Sequence, residues 1–250
     1  MARAAVLGRL TWQVGTVAEI LEETATARTI VLDVPGWPGH AAGQHVDVRL
    51  TAEDGYSTQR SYSIASAPGP GRLELTVQRL EDGEVSPYLT DTLRPGYPLE
   101  LRGPIGGWFV WDPAEPGPVL LVAGGSGMVP LMSMIRARAA AGSEAPFRLV
   151  YSVRSPETVL YAAELERLSK TAHGFEMSYV YTRSGPPGVK VRIGRLTPVV
   201  LSAPGWTSKT APAVFICGPT GFVEAAASLL VRAGHDQDAI KTERFGPSGG

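Results

Sequence analysis

The chain has 250 residues, of which 44% are hydrophobic and 19% are charged, a composition typical of globular proteins. It carries 23 basic and 24 acidic residues, and because nucleic-acid binders usually show a basic excess, we expect no nucleic-acid partner. Cys217 is the single cysteine. An intramolecular disulfide and a four-cysteine zinc or iron–sulfur site within the chain are therefore excluded, and we expect no metal site.

Two apolar stretches bear on membranes and targeting. The longest strongly apolar run near the middle of the chain is Val119–Ala123, far short of the ~20 residues that cross a bilayer. Met1–Leu10 has basic residues around a short apolar stretch but lacks the longer apolar region and cleavage site of a signal peptide. We therefore predict a cytoplasmic protein with no membrane partner.

The first half of the chain, from about Trp12 to Val110, has the pattern of short strands and turns. Thr29–Val34 is rich in β-branched residues, and Gln44–Leu50 and Arg72–Gln78 alternate polar with apolar residues. Proline and glycine separate these stretches. Many short strands at regular spacing predict an antiparallel barrel or sandwich.

The second half alternates apolar strands with helical stretches, which predicts a parallel sheet with crossover helices. The expected strands are Val119–Ala123, Arg148–Val153, Met177–Thr182 and Ala213–Cys217, and the expected helices are Pro130–Ala141, Glu157–Lys170 and Phe222–Ala233. Between the halves, Asp112–Pro118 contains three prolines and a glycine. We place the domain boundary there, giving domains 1–113 and 114–250.

A glycine-rich segment, Gly124–Pro130, follows a buried strand and opens a helix. Glycine lets the backbone approach a phosphate, the helix N-terminus supplies N–H donors, and Pro130 suits a first helical turn. Plain packing is the alternative reason for such glycines. No Gly-Lys-Ser/Thr sequence follows, so the segment is not a P-loop, and Met128 stands where a nucleophile elbow around Ser126 would need glycine.

Three further segments have ligand-binding chemistry. Cys217–Pro219 ends the last apolar strand, where ligands bind in open α/β sheets, although a lone cysteine is more often a small buried hydrophobe. Arg60–Ser63 offers a cation, a flat ring and hydroxyls, but alone it is an ordinary barrel strand. Asp82–Ser86 is a glycine turn before a helix; it suits an anion, or equally a simple turn with Ser86 as N-cap.

In this order the four segments resemble the ferredoxin–NADP⁺ reductase family, and the resemblance covers nearly the whole chain. Arg60–Ser63 is similar to its Arg-x-Tyr-Ser flavin motif and Gly83–Ser86 to its pyrophosphate turn. Gly124–Pro130 is similar to its Gly-x-Gly-x-x-Pro turn and Cys217–Pro219 to its Cys-Gly-Pro motif. The resemblance implies a Greek-key antiparallel FAD barrel followed by a parallel-sheet nucleotide domain.

The resemblance also implies roles at the flavin. Arg60 would bind the FAD pyrophosphate, Tyr62 would pack against the isoalloxazine ring, and Ser63 would hydrogen-bond near N5. Phe245 would either cover the ring or anchor the tail Gly246–Gly250, which departs from the family's terminal aromatic pattern. The full set expected at FAD is Arg60, Ser61, Tyr62, Ser63, the backbone of Thr76, Val77 and Gln78, then Gly83, Val85, Ser86 and Phe245.

The resemblance also implies a set of residues that bind the nicotinamide nucleotide and a preference between NADPH and NADH. Thr182 and Arg183 resemble the family's pair at the 2′-phosphate, which predicts NADPH over NADH; the alternative is that these arginines are solvated surface residues. Ser63, Cys217 and Glu243 would shape the hydride-transfer site. The full nucleotide set is Gly124, Gly125, Ser126, Gly127, Pro130, Arg154, Thr182, Arg183, Arg192, Cys217, Gly218 and Pro219.

The activity implied is a flavoprotein reductase that takes a hydride from NADPH or NADH onto bound FAD. Because a flavin can release its two electrons singly and the chain lacks a cysteine set for a cluster, we expect the electrons to pass directly to a separate ferredoxin, flavodoxin or oxygenase component. Two alternatives stay open: a free flavin reductase that uses flavin as substrate, and a nucleotide-sensing regulatory or electron-transfer subunit.

Overall fold

The computed structural model describes residues 10–246, and its first half is an antiparallel barrel. The strands are β1 Gln13–Thr24, β2 Ala27–Asp33, β3 His45–Thr51, β4 Ser57–Ser63, β5 Arg72–Gln78 and β6 Pro98–Ile105. Their order is β4-β3-β6-β1-β2-β5, and a bridge between Ile64 and Leu75 brings the two edges together. Consecutive strands β2 and β3 are not neighbours, so the connections are of Greek-key type. The predicted barrel is confirmed.

The barrel core follows from the alternation along its strands. On β5, Leu73, Leu75 and Val77 are fully buried, and the intervening residues point outward or against other elements. Val85 and Leu89, in and after the turn that follows β5, join the same core. This packing fixes the turn against the end of the barrel, next to strand β4.

The second half is a parallel sheet covered by helices, as the alternating pattern predicts. Its strands are β7 Val119–Gly124, β8 Phe147–Val153, β9 Phe175–Tyr181, β10 Ala213–Pro219 and β11 Ile240–Phe245, in the order β11-β10-β7-β8-β9. The helices are α1 Met128–Ala140, α2 Ala162–Thr171, α3 Pro198–Leu201 and α4 Thr220–Arg232. Every residue of β8 is buried, as expected for a strand covered on both faces.

In the second half, one helix is shorter than expected, and the short helix α3 and strand β11 are additional to the expected elements. The helix predicted over Glu157–Lys170 begins only at Ala162, because Pro156–Thr158 form a 3₁₀ turn and Tyr161 has a left-handed φ of 57°. Strand β11 was not predicted, since its polar sequence lacks a clear apolar alternation. Parallel pairing with β10 makes it a strand, and that pairing shapes the site described below.

The halves are joined by the proline-rich segment between Trp111 and β7. Trp111 bridges to Ala42 in the barrel half and packs edge-on against Phe147 of β8, with ring centroids 4.8 Å apart. The boundary after residue 113 stays our proposal. Within residues 10–246, no helix has both the length and the apolar character needed to cross a bilayer.

Candidate functional site

A cavity of about 260 Å³ lies where the barrel meets the carboxyl ends of β10 and β11. The residues that line it come from both halves: His45, Ser61 and Ser63 from the barrel, and Cys217, Glu243, Arg244 and Phe245 from the parallel sheet. The register of β10 against β11 pairs Cys217 with Glu243. The three residues expected at the hydride-transfer site, Ser63, Cys217 and Glu243, are therefore brought together, with Phe245 beside them.

The two titratable groups on the sheet side are tuned by burial. Cys217 Sγ lies 3.8 Å from Glu243 Oε2. Burial raises the pKa of the Cys217 thiol well above its ordinary value, and the nearby carboxylate adds to the effect, so the group stays a thiol. Burial also raises the pKa of Glu243 to about 7. Glu243 can therefore hold or release a proton near neutral pH.

His45 completes the cluster and was not among the expected site residues. Its Nδ1 lies 3.8 Å from Glu243 Oε1, and burial lowers the pKa of the imidazole despite the charge on Asp47. The ring is therefore neutral at pH 7 and does not form an ion pair with Glu243. A register count could have found it, because β3 and β4 pair His45 directly with Ser63.

Ser61 and Ser63 share one face of strand β4, and Ser61 already has a hydrogen-bond partner. Ser61 and Ser63 both line the cavity, and the Ser61 hydroxyl donates to Asp47 Oδ1 at 2.7 Å. Burial alone would raise the pKa of Asp47, but hydrogen bonds from Arg102 and Ser61 outweigh it and lower that pKa. Ser61 is thus held by an ionised carboxylate, while its neighbour Ser63 faces the cavity.

Tyr62 and Arg60 occupy the other face of β4. Tyr62 packs partly against the barrel core, and burial raises its pKa to about 12, so its hydroxyl stays protonated. The Arg60 side chain is more than half exposed, and its Nη2 lies 3.3 Å from Glu84 Oε2. A partly exposed ring and an exposed guanidinium on one strand suit a flat ring and a phosphate, respectively.

The turn after β5 lies beside Arg60, as the expected pyrophosphate site requires. A Cβ on Gly83 would come 2.8 Å from Ser86 Oγ, so glycine fits best there. The Ser86 hydroxyl accepts from the Leu80 N–H at 3.0 Å. Ser86 is therefore not an N-cap; the chain continues into a π-helical turn, Tyr88–Thr92, that has no side-chain cap.

At Thr76–Gln78 the backbone of β5 pairs with β2 on one side. Its other side, beyond the bridge from Leu75 to Ile64, has no strand partner in residues 10–246. The Val77 side chain lies in the core, Gln78 is exposed, and the Thr76 hydroxyl is bonded to other side chains. The side chains of Thr76 and Val77 are therefore occupied by contacts within the protein, which leaves the main-chain atoms of these two residues to line a cofactor. A cation, main-chain donors, an aromatic ring and hydroxyl groups together fit the phosphates and ring of FAD.

The glycine-rich turn between β7 and α1 has two different reasons for its glycines. A Cβ on Gly127 would overlap the carbonyl of Cys217, and one on Gly124 would come 2.6 Å from the ring of Phe222. These two glycines are required by packing of the chain against itself. Gly125 has a φ of +55° and open space around it, so its backbone can be approached by a phosphate.

Near that end of the sheet lie the residues expected at the 2′-phosphate. The Arg154 carbonyl accepts from the Arg183 N–H at 2.9 Å, and the Thr182 hydroxyl donates to the Val153 carbonyl at 3.2 Å. The following loop folds back so that Ile193, adjacent to Arg192, lies beside Tyr181. The three arginines are exposed, and none forms an ion pair with another residue in the range 10–246.

The antiparallel barrel with its exposed Arg60 and partly exposed Tyr62, and the adjoining parallel sheet with its glycine turn, define a two-domain fold suited to FAD and a pyridine nucleotide. Family models agree: an oxidoreductase FAD-binding domain matches residues 15–110, and an oxidoreductase NAD-binding domain matches residues 121–228. The FAD/NAD-binding domain of a Vibrio cholerae nitric oxide dioxygenase superposes with a TM-score of 0.84 at 24% identity, over 94% of this chain and 99% of that one.

Relatives of known name narrow the class. The chain is 39% identical over 184 residues to ferredoxin–NADP reductase B of Sorangium cellulosum. This match covers 71% of this chain and 73% of the relative. It is 33% identical over 237 residues to the glycine betaine monooxygenase reductase subunit of Chromohalobacter salexigens, covering 91% of this chain but 62% of the relative's length. The chain belongs to the ferredoxin–NADP⁺ reductase family.

Proposed function

We propose that the chain is a flavoprotein reductase that takes a hydride from NADPH onto bound FAD and passes electrons to a separate redox protein. The cavity carries the proposal. Its lining joins Ser63 of the flavin-binding strand to Cys217 and Glu243 of the nucleotide half. A flavin ring held by the barrel and a nicotinamide held at the end of β10 would both reach this cavity.

The side chains would have distinct tasks in that reaction. Bound FAD supplies the chemistry, since it takes up two electrons at once and can release them singly. The Ser63 hydroxyl, which lines the cavity, would donate a hydrogen bond to the flavin ring. Cys217 remains a small uncharged thiol that limits water, and Glu243, with a pKa of about 7, holds a proton that it can give up or take back.

The proposed preference for NADPH rests on the cations beyond β8 and β9. Arg154 and Arg183 are joined through their backbones, and Arg192 returns towards the same strand end. Guanidinium groups without carboxylate partners in the described part of the chain are suited to a phosphate dianion. NADH lacks that phosphate and would forgo these contacts.

The acceptor is proposed from the relatives and from the composition. Two relatives are named as a ferredoxin–NADP reductase and as the reductase subunit of a monooxygenase, and the chain's single cysteine cannot hold a four-cysteine cluster. We therefore propose a ferredoxin or an oxygenase component as the acceptor. A cytoplasmic location fits the sparse cysteine content.

Anaerobic reduction tests the proposal. Purified protein should carry a yellow chromophore that NADPH bleaches within seconds to minutes, and faster than NADH does. A colourless protein that reduces added flavin would instead support a free flavin reductase. Bound flavin that neither nucleotide bleaches would contradict a reductase and support a nucleotide-sensing subunit. A screen of ferredoxins and oxygenase components with the bleached protein then identifies the acceptor.

A further inference from the structure

A second contact between the two halves is a chain of buried hydroxyl groups. Tyr161 Oη donates to Thr76 Oγ1 at 2.5 Å, Thr76 Oγ1 lies 2.7 Å from Thr29 Oγ1, and Thr29 donates to Glu23 Oε1 at 2.7 Å. Because the Thr29 proton is used on Glu23, Thr76 must donate to Thr29. All three hydrogen bonds therefore run in one direction, from Tyr161 in the nucleotide half to a carboxylate in the barrel.

A main-chain hydrogen bond closes this series of hydrogen bonds into a ring. The Tyr161 N–H donates to Glu23 Oε2 at 3.0 Å, so one residue of the nucleotide half contacts both β1 and β5. Tyr161 has a left-handed φ of 57° immediately before α2, a conformation that costs a non-glycine residue about 1–2 kcal/mol. The interdomain contacts hold the residue in this conformation.

The hydroxyl groups of the ring are buried, so the loss of any one of them would leave a neighbour without a hydrogen-bond partner. Thr29 is 1% exposed, Tyr161 4% and Thr76 5%. Burial raises the pKa of Tyr161, so its hydroxyl remains a donor. Hydrogen bonds in such a chain polarise one another, whereas a buried polar group left without a partner costs roughly 1–3 kcal/mol. The arrangement therefore favours one relative position of the two halves over its neighbours.

Helix α1, which begins at the glycine-rich turn, is anchored beside the ring. Arg136 lies over the Tyr161 ring, 5.1 Å from its centroid, and bonds to Glu74 of β5 at 2.8 Å and to Glu164 of α2 at 2.6 Å. Ser133 donates to the Ser66 carbonyl at 2.7 Å. Helix α1 thus contacts the barrel around β5 directly, and α2 is tied to the same place through Arg136 and through Tyr161, the residue before its first turn.

We propose that Tyr161, Thr76, Thr29 and Glu23 form an interdomain latch that sets the position of the nicotinamide-binding half relative to the flavin-binding barrel. Tyr161 is not among the residues that line the cavity, so it is a positioning residue that acts through β5 and α2. Its effect on the rate rests on the proposed function. Its effect on the relative position of the halves does not.

The main test replaces Tyr161→Phe in the FAD-loaded protein. We expect the rate of flavin reduction at saturating NADPH to fall about tenfold, because small misplacements of reacting groups are costly. The dissociation constants for FAD and NADP⁺ should stay within about twofold, since no phosphate contact changes. A purely structural role would lower stability without separating the rate from the affinities.

A second readout does not depend on activity. Spin labels on Glu19→Cys and Arg167→Cys, both exposed positions, report the distance between β1 and α2. Tyr161→Phe should broaden that distance distribution, and Thr76→Val should broaden it in the same way. If the reductase activity itself were absent, this measurement would still test the latch.

Tyr151→Phe is the matched control. Its buried hydroxyl accepts from the Leu160 N–H within the nucleotide half, so its loss lowers stability without loosening the two halves. The proposal is overturned if Tyr161→Phe keeps the wild-type distance distribution, or if Tyr151→Phe broadens it and slows flavin reduction to the same extent.

Discussion

The two places where the barrel meets the nucleotide half differ in how their polar atoms are paired. In the cavity, Glu243 lies 3.8 Å from both Cys217 and His45. In the latch, the contacts of Tyr161 and Glu23 measure 2.5 to 3.0 Å. Saturated hydrogen bonds make a rigid support, whereas loosely paired groups remain available to a ligand or a proton. We therefore propose that the latch positions the two halves and that the cavity is where hydride transfer takes place.

The largest expected effect concerns the loosely paired carboxyl. Glu243→Gln cannot release or take up a proton, so kcat should fall about 100-fold, at the lower end of general acid–base effects. In the wild type the protonated form declines as pH rises through about 7, so kcat should decline with it, and this inflection should be absent in the variant. Steady-state rates from pH 5.5 to 9 provide the measurement. An unchanged inflection would assign it to another group.

A smaller effect is expected at the exposed cation of the flavin strand. Arg60→Ala should weaken FAD binding about 10- to 100-fold, since a charge-assisted hydrogen bond to phosphate is worth about 1.5–3 kcal/mol. Fluorescence titration of FAD into flavin-depleted protein measures the dissociation constant. Arg72→Ala, an exposed arginine at the start of β5 near Asp33, is the control. Equal affinities in the two variants would refute the role of Arg60.

Beyond β9, at Arg183, we expect a substitution to change the preference between NADPH and NADH. Arg183→Ala should lower the ratio of kcat/KM for NADPH over NADH about tenfold, through loss of one contact to the 2′-phosphate. Arg167→Ala, exposed on α2, should leave the ratio unchanged. If the ratio also survives Arg183→Ala, the preference for NADPH has no support at this position.

The smallest expected effect is on the free energy of unfolding. A substitution in the cavity should raise it, and one in the latch should lower it. Below pH about 4.5, Glu243 is neutral in both folded and unfolded chains, and it contributes no penalty. As pH rises from about 4.5 to about 7, the carboxyl ionises in the unfolded chain but stays largely protonated in the folded one, which increasingly favours unfolding. Glu243→Gln should therefore gain about 1–2 kcal/mol relative to the wild type by pH 8, allowing for partial solvent screening.

Tyr161→Phe supplies the contrast. It should lose stability at every pH between 5 and 8, because its hydroxyl stays protonated throughout that range. Denaturant unfolding of both variants at pH 5 and pH 8 measures the difference. A gain for Glu243→Gln that did not grow with pH would show that burial of the carboxyl is not its cause.

Local sequence patterns are sufficient to predict the two kinds of sheet and the segments expected to bind the cofactors. Alternation on Arg72–Gln78 predicts a barrel strand, and apolar runs followed by helical stretches predict the parallel sheet; both are confirmed. The four family segments also come from short patterns, because a turn or a strand end needs particular residues at fixed spacing. Such signals depend on neighbours in the chain, which a sequence shows directly.

Only the tertiary structure shows the contacts between residues that lie far apart in the chain. Glu243 lies beside Cys217 only because β11 pairs with β10, and His45 reaches the cavity through its register with β4. Tyr161 makes its contacts to the barrel just before α2, which starts later than the sequence periodicity indicates. Glycine is needed at position 127 because the chain packs closely against Cys217 there, and not because a ligand approaches. These features are contacts between segments far apart in the chain, and no local propensity encodes them.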